Sequence, residues 1–212
     1  MRKLPVYILL DTSGSMFGEP IEAVKNGLQV LTSTLTSDPY ALETAYLSVI
    51  TFDSNAKQAV PLTEIAAFQP PQLKASGCTA LGEALELVSK CADNEVIKTT
   101  AEKKGDWKPL VFIMTDGEPT DDIRKGLQDF KNRKWGTVVA CAAGAGANTN
   151  TLKQITENVV SLDTTDSATI RQFFKWVSAS VQANSVRVEE GGGEINSIGE
   201  LPPPPPEVNI VI

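Results

Sequence analysis

The feature that most constrains the fold is a regular alternation of short apolar runs with segments of helical spacing. The first run, residues 5–10, is continuously apolar and stops at Asp11, which is typical of a strand buried on both faces. After Glu19 and Pro20, a favourable helix start, apolar residues recur every three or four positions over residues 21–35. Alternation of this kind predicts a mostly parallel sheet with helices on both faces.

The same alternation continues to about residue 183. Further strands are predicted over residues 45–52, 110–114, 138–142 and 159–162, with a short antiparallel edge strand over 56–60. Further helices are predicted around residues 81–88, 123–130, 152–155 and 170–181, the last capped by Asp166. This order predicts an α/β, Rossmann-like, doubly wound sheet of six strands with one antiparallel edge strand. In such sheets ligands bind beyond the carboxyl ends of the strands.

A change in composition near residue 187 predicts a domain boundary. Residues 1–186 are expected to form one domain, and residues 187–212 a Gly/Pro-rich tail that acts as a linker outside it. Three glycines at 191–193 favour flexibility, and the prolines at 202–206 favour an extended polyproline II rod. The apolar end, residues 208–212, could add a strand to a partner's sheet or dock back on this domain.

Two features of the composition exclude classes of function. The chain has no histidine, which excludes Ser-His-Asp and Cys-His catalysis as well as zinc sites that use imidazole. The formal net charge is −7, which argues against broad binding to nucleic acid, because that binding needs clustered lysine and arginine. Any metal in this protein must therefore be held by oxygen or by thiolate.

The cysteines and the N-terminal segment bear on location. Cys78, Cys91 and Cys141 are scattered without a C-x-x-C pair, which favours reduced thiols in a cytoplasm over a disulfide framework. The apolar stretch at residues 4–10 follows two basic residues but ends at Asp11, too early for a secretory core. No other run is long enough to cross a bilayer. A cytoplasmic protein that is not attached to a membrane is expected.

Oxygen-bearing side chains follow the first predicted strand. Extended backbone sends alternate side chains to one side, so Asp11, Ser13 and Ser15 can surround one point, with Gly14 relieving the backbone. One carboxylate and two hydroxyls suit Mg²⁺, Mn²⁺ or Ca²⁺ rather than zinc or copper. The alternative is that one of the serines caps the next helix or turn.

Two more oxygen donors are predicted at the same edge of the sheet. Thr79 comes just before the second long helix, and Asp116 just after the strand over 110–114. Taken singly, Thr79 has the alternative role of a helix N-cap and Asp116 that of an Asp-Gly turn. Because three loops at one edge each offer oxygen, a shared site for a divalent cation, foremost Mg²⁺, is favoured.

The combination of these residues resembles the metal-ion-dependent adhesion site of von Willebrand factor A domains. The pattern of that site is Asp-x-Ser-x-Ser, then a distant Thr, then a distant Asp, and it is matched by Asp11, Ser13, Ser15, Thr79 and Asp116. The resemblance covers about residues 4–183. The strings at 4–16, 48–53 and 112–121 resemble more particularly the TerY-type bacterial proteins associated with tellurium-resistance clusters.

The resemblance implies a role for each of these residues. Ser13, Ser15 and Thr79 would contact the cation, while Asp11 and Asp116 would coordinate it directly or hold its water molecules. A Glu or Asp carboxylate from a partner protein would complete the coordination. The implied function is a metal-ion-dependent protein-binding module, without catalysis, in bacterial cytoplasmic stress or tellurium-resistance signalling.

Two other functions stay open from the sequence. One is an Mg²⁺-dependent phosphotransferase or phosphatase with Asp11 as nucleophile, resembling haloacid-dehalogenase-type enzymes. Those enzymes carry an Asp-x-Asp pattern, however, and this chain has Ser13 at the position of their acid–base carboxylate. The other is an extracellular adhesin, which shares the same metal-site pattern.

Overall fold

A computed structural model describes residues 2–144, 146–191 and 198–211. The strands within these residues are β1 Leu4–Asp11, β2 Ala45–Phe52, β3 Ala56–Glu64, β4 Leu110–Thr115, β5 Val138–Ala143, β6 Val159–Leu162 and β7 Val208–Ile210. The α-helices are α1 Glu19–Thr36, α2 Pro39–Thr44, α3 Leu81–Glu95, α4 Ile123–Lys131, α5 Thr149–Ile155 and α6 Ser167–Glu189. Every predicted strand and helix is present, and α2 and β7 are additional.

The strands form one sheet in the order β3-β2-β1-β4-β5-β6-β7. The pairs among β2, β1, β4, β5 and β6 are parallel, which confirms the predicted doubly wound arrangement. The prediction of six strands with one antiparallel edge was wrong in number. The sheet has seven strands, and both edge strands, β3 and β7, run antiparallel to their neighbours.

Each face of the sheet is covered by helices because strand side chains alternate between two apolar cores. Val6, Ile8 and Leu10 of β1 face a core that includes α1, α2 and α6. Tyr7 and Leu9 face a second core that includes α3, α4 and α5. The first predicted strand is buried along its whole length, as its continuous apolar pattern indicated.

The end of the chain corrects the prediction of a linker outside the domain. Helix α6 runs past the predicted boundary to Glu189, and β7 pairs with β6 from Leu162–Val208 to Val160–Ile210. The pairing has a physical reason, since an unpaired β6 edge would expose backbone donors and acceptors. Of the alternatives for the apolar end, docking back on this domain is the one the structure shows.

The segment before β7 also packs on the domain. The indole Nε1 of Trp176 donates a 2.8 Å hydrogen bond to the carbonyl of Pro202, and the side chains of Leu201 and Val208 are buried. The predicted flexible glycines at 192–193 and the terminal residue 212 lie outside the described residues. Helix α6 is continuous across residues 186 and 187, where the sequence predicted the boundary.

The chain crosses from one half of the sheet to the other between β1 and β4. Strands β2 and β3 lie on one side of β1, while β4 to β7 lie on the other. Loops at such a crossing diverge and leave a crevice at the carboxyl ends of the strands. The pairing of Leu10 with Met114 brings Asp11 and Thr115 to this crevice. None of the described helices combines the length and apolar character needed to cross a bilayer.

Candidate functional site

Asp11, the last residue of β1, is held by two hydrogen bonds at the floor of the crevice. Its Oδ1 accepts from the backbone N–H of Ser13 at 2.8 Å, and its Oδ2 accepts from the hydroxyl of Thr115 at 2.5 Å. The residue is only 1% exposed. The carboxylate is thus held by strand β4 as well as by its own loop, the one after β1.

A chain of hydrogen bonds joins the loop after β1 to the loop after β4. The hydroxyl oxygens of Ser13 and Ser15 lie 2.9 Å apart, and Ser15 Oγ donates to Asp116 Oδ1 at 2.7 Å. Ser13 precedes a short 3-10 turn, Gly14–Met16, but its hydroxyl does not cap that turn. These contacts disfavour the simple capping and turn interpretations and bring four of the five predicted residues together.

Thr79 lies beside these hydrogen-bonded side chains, in the loop that leads into α3. Its backbone N–H donates to Thr120 Oγ1 at 3.0 Å, and its carbonyl accepts from Thr120 N at 2.9 Å. A Cβ added to Gly117 would lie 3.9 Å from Thr79 Oγ1, so this hydroxyl faces the loop of Asp116. The position before α3 is Ala80, so Thr79 is not the N-cap of that helix.

The loop of Thr79 is tied to the loop after β1 by its backbone. Gly14 N donates to Gly77 O at 3.1 Å, and Ser76 N donates to Thr12 O at 2.9 Å. Gly77 has a positive φ of 75°, and a Cβ there would lie 2.4 Å from Ser54 Oγ, inside contact distance. Glycine is therefore required for this loop to approach its neighbours.

The electrostatics of the two carboxylates fit a small, hard cation. Burial raises the pKa of Asp11, and the charge of Asp116 raises it further, while hydrogen bonds from Ser13 and Thr115 oppose the shift. A divalent cation would offset both the desolvation and the repulsion. The described residues contain no cluster of three or more His, Cys, Asp or Glu, so the donors are two carboxylates and neutral hydroxyls.

Two residues that support the site were not predicted as part of it. No role was predicted for Thr115, although its hydroxyl holds Asp11. No role in the site was predicted for Asp121 either, but its carboxylate accepts from Gly82 N at 3.1 Å and Glu83 N at 2.9 Å. It therefore holds the start of α3, next to Thr79, against the loop after β4. The Thr-Asp-Gly string at 115–117 was the sequence feature that could have indicated a role for Thr115. No sequence feature indicated that Asp121 would bind the backbone at the start of α3.

A large apolar side chain is exposed next to the oxygen atoms that are the candidate metal ligands. Phe17 follows the turn of Ser15 and is 79% exposed. It lines a groove of about 490 Å³ together with Ile21, Leu73 and Lys74. The open edge of the sheet thus combines oxygen donors with an apolar contact surface.

Comparison with known sequences finds a relative in Synechocystis sp., an uncharacterized protein. It is 36% identical over 124 residues, which are 55% of this chain and 26% of the relative. The chain spans about a quarter of the length of that relative, which leaves most of the relative unmatched.

Two solved structures show the same fold. A von Willebrand factor type A protein from Catenulispora acidiphila matches 86% of this chain and 43% of its own, with a TM-score of 0.63 and 19% identity. Proximal thread matrix protein 1 from the mussel byssus, solved with a zinc-occupied metal-ion-dependent adhesion motif, matches 84% of this chain and 48% of its own. Its TM-score is 0.61 and its identity 20%.

The family model for the von Willebrand factor type A domain matches residues 6–176, from β1 into α6. This range includes the loops after β1 and β4 and the loop before α3, where the oxygen donors converge. The sheet order, the site at its crossing point and the matched range agree: the chain belongs to the von Willebrand factor type A domain family.

Proposed function

We propose that this domain is a metal-ion-dependent protein-binding module and has no catalytic activity of its own. The residues that would hold the cation are Asp11, Ser13, Ser15, Thr79 and Asp116. The observation that carries the proposal is the hydrogen-bonded chain from Ser13 through Ser15 to Asp116, which gathers neutral hydroxyls and a carboxylate at an open edge. When bound there, the cation would offer an electrophilic position to a carboxylate.

The count of charges indicates what kind of partner group binds. Asp11 and Asp116 supply the only formal negative charges among the five proposed ligands, and serine and threonine hydroxyls are neutral. Mg²⁺ binds about six oxygens and is commonly held by one or two carboxylates plus water. An anionic oxygen from outside is therefore favoured, and a Glu or Asp side chain of a partner protein supplies one.

The choice of metal rests on the donor chemistry. Carboxylate and hydroxyl oxygens suit Mg²⁺, with Mn²⁺ or Ca²⁺ as alternatives. The related mussel protein has zinc in its motif, so Zn²⁺ belongs in any comparison of metals for this chain. Because the present chain offers no histidine and its site no cysteine, we expect Mg²⁺ to be the physiological ion.

The proposal against catalysis rests on the groups next to Asp11. In haloacid-dehalogenase-type enzymes a carboxylate two residues after the nucleophile supplies the acid–base group, and this chain has Ser13 at that position. Purified domain with Mg²⁺ should not release phosphate from generic phosphoesters. Turnover that disappears in Asp11→Asn would overturn this part of the proposal.

The proposed setting is the bacterial cytoplasm, in stress or tellurium-resistance signalling. Its support is the resemblance of residues 4–16, 48–53 and 112–121 to TerY-type proteins, together with the three cysteines, which are free thiols in this structure. Fractionation of the source cell with an antibody against the domain tests the location. Recovery in a membrane or extracellular fraction would contradict it.

Affinity capture tests the binding function. The immobilised domain should capture its partner in Mg²⁺ but not in EDTA, and Asp116→Ala should capture as little as the EDTA sample. Asp129→Ala, on α4 away from the site, is the matched control and should capture normally. Capture that survives both EDTA and Asp116→Ala would place binding on another face.

A further inference from the structure

A small polar pocket of about 200 Å³ lies beside the proposed cation site. Its lining includes Thr12, Thr51, Asp53, Lys57, Lys74 and Ser76. Thr12 stands between the proposed ligands Asp11 and Ser13, and its carbonyl accepts the 2.9 Å hydrogen bond from Ser76. The pocket is therefore continuous with the loop that presents the cation ligands, but none of those ligands lines it.

One residue that lines the pocket, Thr51, carries a buried hydroxyl without a partner. Thr51 is only 3% exposed, and its Oγ1 has no hydrogen-bond partner among the described residues. Leaving a buried hydroxyl unpaired costs free energy, so such groups in folded proteins call for a ligand or another specific reason. Thr51 pairs with Lys57 across β2 and β3, which places both side chains on the same face of the sheet.

The charge around the pocket favours an anion. Lys57 and Lys74 are exposed at its rim, and within the described parts of the chain neither lysine takes part in an ion pair. Asp53 is the opposing charge, and its Oδ1 accepts from Asn55 N at 3.3 Å within its own turn. Two lysines against one aspartate leave the rim net positive.

We propose that this pocket binds a second carboxylate of the partner, so that the recognised segment carries two acidic side chains. The first carboxylate is the one that binds the cation in the proposed function. Binding of both carboxylates at once, the joint mode, therefore rests on that proposed function. The volume suits one acidic side chain and is below the range of about 300–1,000 Å³ typical of sites for larger ligands. Lys57 and Lys74 neutralise the bound carboxylate, and rotation of the Thr51 side chain about χ1 turns its unpaired hydroxyl to donate to it.

Synthetic peptides test the joint mode. In one set, the second glutamate follows the first by about one to four positions, a distance of roughly 3 to 13 Å in an extended chain. The matched set has glutamine in place of one glutamate. In Mg²⁺, the best diacidic peptide should bind about tenfold or more tightly than its monoacidic match, as a charge-assisted hydrogen bond allows. Equal affinity across the two sets would overturn the inference.

Variants identify the pocket as the origin of that difference. The diacidic advantage is the ratio of the affinity of the diacidic peptide to that of its monoacidic match. Thr51→Val and the double variant Lys57→Gln/Lys74→Gln should each reduce this ratio several-fold. Thr51→Val should not lower Tm, because its hydroxyl has no partner to lose. The control pair Lys131→Gln/Lys175→Gln makes the same change in net charge elsewhere and should keep the full advantage. An unchanged advantage in the pocket variants would contradict the inference.

A direct measurement separates failure of the pocket from failure of the cation site. In EDTA, and in Asp116→Ala, the diacidic peptide should still shift the Thr51 methyl resonance saturably in NMR titrations. A Thr51 resonance that stays fixed while Mg²⁺-dependent binding persists would overturn only the pocket. A saturable Thr51 shift without any Mg²⁺-dependent binding would overturn the proposed function and retain the pocket as an anion site.

Discussion

The hydroxyl of Thr115 donates a 2.5 Å hydrogen bond to Asp11, although the two residues are 104 positions apart in the sequence. Both are buried at the carboxyl ends of adjacent parallel strands. The bond fixes the orientation of the Asp11 carboxylate relative to the sheet, since β4 as well as the loop after β1 holds it. The candidate site is thereby anchored to two adjacent strands in the middle of the sheet.

We expect Thr115→Val to lower the free energy of unfolding by roughly 1.5–3 kcal/mol, since a hydrogen bond to a charged group is lost. It should also weaken cation binding, because Asp11 loses one of its two fixed contacts. Chemical denaturation and calorimetry measure the two effects. Thr51→Val is the matched control, a buried threonine without a partner, and should be close to neutral. Equal losses in the two variants would contradict this account.

Asp11 links the stability of the metal-free domain to pH. Burial raises the pKa of Asp11 in the folded state, so its stabilising protonated form is lost as pH rises through that pKa. At neutral pH Mg²⁺ should therefore raise Tm by stabilising the ionised carboxylate, and the increase should shrink on acidification. Asp11→Asn should keep or raise the metal-free Tm at neutral pH and show no increase with Mg²⁺. Thermal melts with and without EDTA across pH measure this, and an Mg²⁺ effect retained in Asp11→Asn would refute it.

Most of the central sheet was predictable because its strands are buried on both faces. Such strands show as continuous apolar runs that end in polar residues, as in β1 and β4. Helix α2 was missed because its six residues are too few for helical periodicity to show, although Asp38 caps it and Pro39 begins it. Strand β7 was missed because a three-residue edge strand follows prolines and has two exposed residues.

The candidate ligands were predictable for a different reason. Asp11, Ser13 and Ser15 are close in sequence, and Asp116 directly follows a recognisable strand. The supporting contacts were not, since Asp121 reaches α3 across 39 positions of sequence. The Thr51 pocket depends on the packing of β2, β3 and the loop at 72–76, which no local pattern encodes.

We expect β7 to contribute to the stability of the domain. Val208→Ala should lower the free energy of unfolding by roughly 1–3 kcal/mol, because Val208 is buried against β6. Ile210→Ala is the matched control; Ile210 is 49% exposed, so the loss should be smaller. A chain ending at Gly191 should melt at a lower temperature than the full chain. Unchanged melting of that shortened chain would restore the interpretation of residues 198–211 as a linker.

Phe17 should contribute to partner binding without contributing to the fold. Phe17→Ala should leave Tm unchanged, because the ring is almost fully exposed, and should weaken partner capture by roughly 1 kcal/mol or more. Ile97→Ala is the control, since Ile97 is also exposed and lies just past the C-terminal end of α3. Thermal melts and quantitative capture measure both effects. Equal capture by the two variants would exclude Phe17 from the interface.

Calorimetric titration of a single-glutamate peptide into the domain tests the metal-dependent binding function most directly. The matched peptide has glutamine in place of glutamate, and each is titrated in Mg²⁺ and in EDTA, into wild type and Asp116→Ala. We predict binding of the glutamate peptide to wild type in Mg²⁺, with affinity reduced about tenfold or more by any one of the three changes. Equal affinity for the glutamate and glutamine peptides, or binding that persists in EDTA, would contradict the proposed function.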